Sequence, residues 1–202
     1  MAELIRKPRV MHKAMTEVRH AFAMSGVVSE VVIRDDLKYL HLVIMESLRL
    51  HPPVPLLIPR ECREPCQVAG YDVPRGMQVL VNAWALGRDE RYWPDGVEKF
   101  RPERFECDSK VAAEVVDFRG SNFELVPFGA GRRMCPGMAF ALSNAEITLA
   151  SLLFHFDWVA PGVVDPAELD MTEVFGVTTQ RKAKLPLRPI LRVPVPDVNT
   201  LH

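Results

Sequence analysis

The amino-acid sequence predicts a mainly α chain with small β-sheets, an α+β fold, on three observations. Apolar residues recur at three- and four-residue steps along two stretches near the start, the mark of amphipathic helices. A third, longer stretch is apolar on nearly every side. Between and after them lie short runs bounded by Gly and Pro, which read as strands and hairpins. With 202 residues, 48% hydrophobic and 25% charged, the chain suffices for one domain with a real core or for part of a larger one.

Residues 1–24 read as helical, because Val10, Met11, Ala14, Met15, Val18 and Phe22 share a face while Lys13, Glu17 and Arg19 lie between them. Pro8 suits a first helical turn better than an interior, so Met1–Arg6 reads as the end of a preceding helix. That abrupt, uncapped start predicts a truncated chain. After a loop from Ser25 to about Arg34, Asp35 or Asp36 is placed to cap a second helix. Its apolar stripe is Leu37, Leu40, Ile44 and Leu48, and Pro52–Pro53 end it after Leu50. Residues 53–60 read as extended, Gln67–Val73 as a tight hairpin around Ala69–Gly70, and Met77–Val81 as a short strand.

Residues 88–128 carry turn residues, charges and isolated aromatics without a period, and predict an ordered meander. A long helix follows from about Pro136 to Phe154, with Met138, Phe140, Leu142, Ile147, Leu149, Leu152 and Leu153 spread around it. Asn144 and Glu146 sit near its middle, and one charge there costs ~2.5–3.5 kcal/mol in a bilayer. A helix inside a large protein therefore explains it better than a membrane span. The tail, Val174–Thr179 and Leu185–Val193, reads as a final hairpin.

Several function classes are excluded by composition. A net charge of -1, from 25 Lys+Arg against 26 Asp+Glu, gives no field for nucleic acid. Cys62, Cys66, Cys107 and Cys135 are too few and scattered for a secreted disulfide framework, which points to a reducing compartment. No long apolar run stands at the N-terminus as an anchor or signal. Cys62 and Cys66 have zinc-ligand spacing, but no second pair follows, and the six His residues show no ligand grouping. Neither a G-x-S-x-G elbow nor a phosphate loop is present.

The strongest chemical signal is Phe128-Gly129-Ala130-Gly131-Arg132-Arg133-Met134-Cys135-Pro136-Gly137. Three glycines and an alanine surround a cysteine where a loop becomes an apolar helix. Glycine allows positive φ and the close approach of a flat ligand. With Pro136 at the first helical position, Cys135 lies at a helix N-terminus beside two arginines, and dipole and cation both favour the metal-binding thiolate. The segment matches the haem-binding signature F-x-x-G-x-R-x-C-x-G at every fixed position and so resembles the cytochrome P-450 superfamily. The resemblance implies haem b (iron protoporphyrin IX) held by Cys135 as axial thiolate and metal ligand. It places Phe128 near the sulfur, pairs Arg133 with a propionate, and has Gly131 and Gly137 line the cofactor.

Two further motifs extend the likeness. Glu46-Ser47-Leu48-Arg49 puts an acid and a base on one helix face, three residues apart. Alone it is a common surface pair, but Pro102-Glu103-Arg104-Phe105 follows in the family's order. The resemblance then implies a structural triad of Glu46, Arg49 and Arg104. The run from Leu48 through Pro59-Arg60-Glu61-Cys62 implies Arg60 as a second propionate partner, with Val54, Leu56 and Leu57 lining the substrate side. Phe175 and Val177 resemble a last substrate-contacting segment. Each of these apolars is equally consistent with ordinary core.

With Asn82-Ala83-Trp84-Ala85-Leu86-Gly87-Arg88-Asp89, the likeness is closest to the plant microsomal branch and runs to about Val193. Gly96 stands where a proline is common, which is expected to alter a surface loop and little else. Residues 1–202 thus resemble the C-terminal haem-binding portion of a cytochrome P-450 domain. Family membership implies a monooxygenase that inserts one oxygen atom of O2 into a small apolar substrate. Electrons would come from an NADPH-cytochrome reductase at the cytosolic face of the endoplasmic reticulum membrane. The family's acid–alcohol pattern, close to [AG]-G-x-[DE]-T-[TS], is absent from these residues, and that helix and the membrane anchor are expected upstream. The alternative is a non-catalytic haem-binding or decoy fragment.

Overall fold

The computed structural model describes residues 1–106, 118, 122–174 and 176–195. Its helices are α1 (Ala2–Arg6), α2 (Pro8–Phe22), α3 (Glu30–Asp36), α4 (Lys38–Leu50), α5 (Ala83–Leu86) and α6 (Met138–His155). The strands are β1 (Arg60–Glu61), β2 (Cys66–Val68), β3 (Tyr71–Val73), β4 (Gln78–Val79), β5 (Phe156–Val159), β6 (Glu173–Val174), β7 (Gln180–Arg181) and β8 (Arg188–Leu191). They pair antiparallel two by two, as β1–β4, β2–β3, β5–β8 and β6–β7. The fold is mainly α with small sheets.

The core forms where α2, α4 and α6 meet. Ala14, Val18 and Phe22 of α2 pack with Leu40 and Val43 of α4 and with Ala150, Leu153 and Phe154 of α6. Phe22 meets Phe154 edge-on, with ring centroids 5.7 Å apart. Each such large side chain contributes ~1.5–3 kcal/mol by leaving water. A second cluster of Met45, Trp93, Phe118 and Leu125 holds the other face of α4 against the meander. Arg19 fastens the end of α6, donating to the carbonyls of Leu153 and Phe156 and to Asp157 Oδ1 at 2.7 Å. Glu146, the charge in the middle of α6, meets His41 Nδ1 of α4 at 3.0 Å.

Several elements depart from the sequence expectation. Pro8 does open α2, and the 69–70 hairpin forms, with Ala69 at φ 50° and Gly70 at φ 85° as a two-residue mirror turn requires. Yet residues 30–34, expected as loop, begin α3, whose Val31-Val32-Ile33 run is β-branched and a weak helix signal. Neither Asp35 nor Asp36 caps α4. Glu17 of α2 does so across the interface, its carboxylate accepting from the Tyr39 and Leu40 amides at 2.7 and 2.8 Å. Residues 53–60 are not extended: the Leu57 amide bonds the Val54 carbonyl, and Leu57 turns the chain with φ 53°. Of Met77–Val81, only Gln78–Val79 is strand.

The tail is not one hairpin. β6 pairs with β7, while β8 returns to β5, the strand that leaves α6 directly and that helical periodicity hid. Helix α6 starts at Met138, two residues after Pro136, and its burial is uneven. Ala150, Leu153, Phe154 and His155 are buried, but Phe140 is 77% exposed. By length and composition α6 is also long and apolar enough to cross a membrane.

His51, just past α4, clamps three elements. Its Nδ1 meets Glu173 Oε1 of β6 at 2.6 Å and its Nε2 meets Glu3 Oε1 of α1 at 2.9 Å. Two carboxylates require both ring nitrogens to donate, which is the imidazolium. Burial pulls the His51 pKa down, but the hydrogen bonds and charges of Glu3 and Glu173 outweigh it and leave the pKa above the ordinary 6.5. Burial pushes Glu3 up, and His51 with Arg6 and Lys7 brings it below its ordinary 4.5.

Two predictions follow from these contacts. In urea denaturation, Glu17→Ala should cost about 0.5–2 kcal/mol, whereas Asp35→Ala and Asp36→Ala should stay within about 0.5 kcal/mol. Equal losses for all three would place the cap elsewhere. The His51 clamp is complete below the unfolded histidine value of 6.5 and fades as pH rises through the raised folded value. The Glu3 contribution is present above 4.5 and fades as pH falls through its lowered value. The urea midpoint of the parent should therefore drop as pH rises above the ordinary histidine value of 6.5, and His51→Gln should flatten that slope.

Candidate functional site

The loop before α6 is shaped by its own backbone. The Cys135 amide donates to the Phe128 carbonyl at 2.9 Å, which closes the segment between them into a protruding turn. Inside it the Gly129 amide bonds Val126 O and the Met134 amide bonds Gly131 O, around the short 3₁₀ turn Gly131–Arg133. Gly129 and Gly131 have φ of 75° and 67°, which a side chain resists. Cys135 is exposed, as are Gly131, Arg133 and Gly137. A Cβ on Gly137 would stand 3.9 Å from Cys135 Sγ, an ordinary contact distance, so this position borders the sulfur. Cys135 lies two residues before the α6 N-cap, Gly137, because Pro136 belongs to the turn rather than the helix.

The Leu57 turn brings a distant segment onto this loop. A Cβ on Gly129 would stand 3.9 Å from Leu57 Cδ1 and 4.0 Å from Arg60 Nη2. Arg60 leads β1, opposite Val79 of β4, and is exposed. Among the described residues, neither Arg60 nor Arg133 is paired with a carboxylate. Phe128 turns its ring inward, 5.8 Å edge-on from Phe118 in the second cluster. Leu56 is 43% exposed, Val54 is half-buried, and Val177 is 85% exposed. Phe175 lies outside the described residues. The Thr179 amide donates to Pro53 O at 2.8 Å, so the 176–179 turn sits against the segment that carries Val54 to Leu57.

Glu46, Arg49 and Arg104 meet below the loop. Arg49 Nε and Nη2 donate to the two Glu46 oxygens at 2.7 and 2.8 Å, and Arg104 Nε donates to Glu46 Oε1 at 2.9 Å. The Arg101 amide adds a bond to Oε1 at 2.8 Å. The remaining Arg49 donors reach the carbonyls of Gly87, Val97 and Lys99, so all five are satisfied. Trp93 lies over the guanidinium, 5.2 Å from centroid to Cζ. The 96–99 loop is thus more than a surface detail: Gly96 O and Lys99 O accept from Arg104, and Gly96 holds φ 88°, which proline cannot adopt.

Gly87 is a residue whose role sequence reasoning missed. A Cβ there would fall 2.4 Å from the Arg49 carbonyl oxygen, an impossible contact with backbone. The signal was present in the 82–89 run, but nothing local says which backbone passes opposite.

The donor set suits a planar iron macrocycle. Among the described residues no three His, Cys, Asp or Glu side chains group to hold a metal ion. One exposed sulfur with two unpaired guanidiniums fits a metal whose other ligands come from the macrocycle and whose edge carries carboxylates.

A helical core that sets a single cysteine on a glycine loop, braced by a buried acid–arginine triad, defines the class of fold. The chain belongs to the cytochrome P-450 family, whose model matches residues 1–187. It is 52% identical over 189 residues to desmethyl-deoxy-podophyllotoxin synthase of Sinopodophyllum hexandrum, covering 94% of this chain and 36% of that protein. It is 52% identical over 187 residues to premnaspirodiene oxygenase of Hyoscyamus muticus, covering 93% and 36%. Against tabersonine 16-hydroxylase 1 of Catharanthus roseus it is 53% identical over 190 residues, covering 94% and 35%. The chain spans little more than a third of the length of these plant relatives.

Removing Glu46 would strand two guanidiniums in the interior. Glu46→Ala should cost about 3–5 kcal/mol in urea denaturation, and an effect below about 1 kcal/mol would show that the triad is dispensable.

Proposed function

We propose that this chain is the haem-binding portion of a cytochrome P-450 monooxygenase, with Cys135 as the axial thiolate of haem b. The carrying observation is the exposed Cys135 sulfur on a loop held by the Phe128 carbonyl and turned by Gly129 and Gly131 at positive φ. Arg60 and Arg133 would take the propionates, because a guanidinium fork binds carboxylates in pairs of hydrogen bonds. Gly131 offers open space where a Cβ would point, and Gly137 borders the sulfur. Phe128 serves through its backbone, holding the Cys135 amide at 2.9 Å.

When bound, the haem supplies the oxygen chemistry, activating O2 with electrons from an NADPH-cytochrome reductase to insert one atom into a small apolar substrate. The chain supplies ligand, orientation and apolar lining. Leu57 reaches the cysteine loop directly, and Val54, Leu56 and Val177 stand on the neighbouring turns. Placement at the cytosolic face of the endoplasmic reticulum belongs to the same reading. A second reading, haem binding without turnover by this chain on its own, is favoured by the open apolar start of α6, where Phe140 is 77% exposed.

Reconstitution with haem and a carbon monoxide difference spectrum tests the proposal. The long-wavelength Soret band of thiolate ligation should form in the parent and disappear in Cys135→Ser, while both variants keep the same far-ultraviolet circular dichroism. Its absence in a folded parent ends the reading. Product formation with reductase and reduced nicotinamide then separates turnover from binding alone.

A further inference from the structure

Cys62 and Cys66 bring their sulfurs to 3.7 Å of each other, outside the site described above. Cys62 follows β1 directly and Cys66 opens β2, so the pair bridges two separate sheets. Backbone bonds fix both ends. The Cys62 amide donates to Met77 O and its carbonyl accepts from the Gly76 amide, while Cys66 stands opposite Val73 in the β2–β3 hairpin. Pro65 stiffens the short connection between them. The Cys62 thiol donates to Glu64 O at 2.9 Å, and Val73 O lies 3.8 Å from the same sulfur. Cys66 is exposed and Cys62 half-buried, so a small reagent reaches the pair.

We infer that Cys62 and Cys66 form a reversible redox dithiol, a modification site that takes low-molecular-weight disulfides of the glutathione class. The gap from 3.7 Å to a bond of about 2.05 Å is within the swing of one χ1 rotamer step. One cysteine thiolate attacks the small disulfide, forming a mixed disulfide and releasing one small thiol. The second cysteine thiolate attacks the protein sulfur of that mixed disulfide and releases the other. The two protein thiols lose two electrons and two protons in all, and the small disulfide gains them as two thiols. The hydrogen bond with Cys62, then desolvation and the charge of the neighbouring sulfur, raise the Cys66 thiol above its ordinary value, so the exchange runs through a small thiolate fraction and speeds up as pH rises. An exposed bond across so short a loop is the labile, regulatory kind rather than a structural staple. It would lock the β2–β3 hairpin to the strand that carries Arg60.

The experiment is thiol mapping by mass spectrometry on the 202-residue chain, titrated with mixtures of reduced and oxidised glutathione. The peptide joining Cys62 and Cys66 should become two hydrogens lighter, with no bond from either sulfur to Cys135. The ratio of linked to open pair should be roughly tenfold or more higher in the native chain than in urea, because the fold holds the sulfurs together. In Cys66→Ser, Cys62 should stop at the mixed disulfide. Separate glutathionylation of both cysteines, a bond to Cys107 or Cys135 instead, or equal ratios in buffer and urea would each overturn the inference. The readout involves no haem, so its failure leaves the reading of Cys135 untouched.

Discussion

The structure turns on the carboxylate of Glu46. It is fully buried on α4 and accepts four hydrogen bonds, two from Arg49, one from Arg104 and one from the Arg101 amide. A buried ion pair is poor value against apolar packing in stability alone, because desolvating the charges offsets most of their attraction. What it supplies is a unique arrangement. Arg49 spends its other donors on the carbonyls of Gly87, Val97 and Lys99, three points along an irregular stretch with no periodicity of its own. One guanidinium thereby fixes residues 87–99, a described stretch without helix or strand. Lysine has one charged atom and three donors, and cannot make that pattern.

From this anchor the cysteine loop is positioned indirectly. Trp93 covers Arg49, donates to Leu86 O at 3.0 Å, and shares a cluster with Met45, Phe118 and Leu125. Phe128 joins that cluster through its ring and holds Cys135 through its carbonyl. The chain of contact therefore runs from Glu46 to the sulfur in packed steps, with Phe128 as the last. The family resemblance implies Phe128 packed near the sulfur; in the structure its ring joins the Phe118 cluster and its carbonyl accepts from the Cys135 amide.

What the sequence disclosed was local. Helix α2 and the 69–70 hairpin were legible because a helical stripe and a left-handed turn are written in neighbouring residues. The acid–arginine pair of α4 was legible through the family's motif order, since its spacing alone reads as a common surface pair. The α4 cap was not, since Glu17 lies more than twenty residues from the amides it meets. Nor was the β5–β8 pairing, where Phe156 meets Leu191 across a long connection that carries its own β6–β7 pair. Gly87 and Gly96 stood in view, but their necessity lies in what passes opposite, Arg49 O for one and the left-handed φ beneath Arg104 for the other.

The same geometry separates stability from chemistry. The groups that hold the fold, Glu46, Arg49, Phe22 and Leu153, are buried with every strong partner inside the chain. The groups assigned to the cofactor, Cys135, Arg133, Arg60 and Gly131, are exposed and make few contacts with the core. Exposed positions contribute little to folding free energy, usually within about 0.5 kcal/mol. Substitutions at Cys135 therefore probe the ligand without moving the scaffold, whereas substitutions at Glu46 act on the scaffold and reach the cysteine loop only through it. Gly137 is the position where the two roles meet, because it caps α6 and borders the Cys135 sulfur.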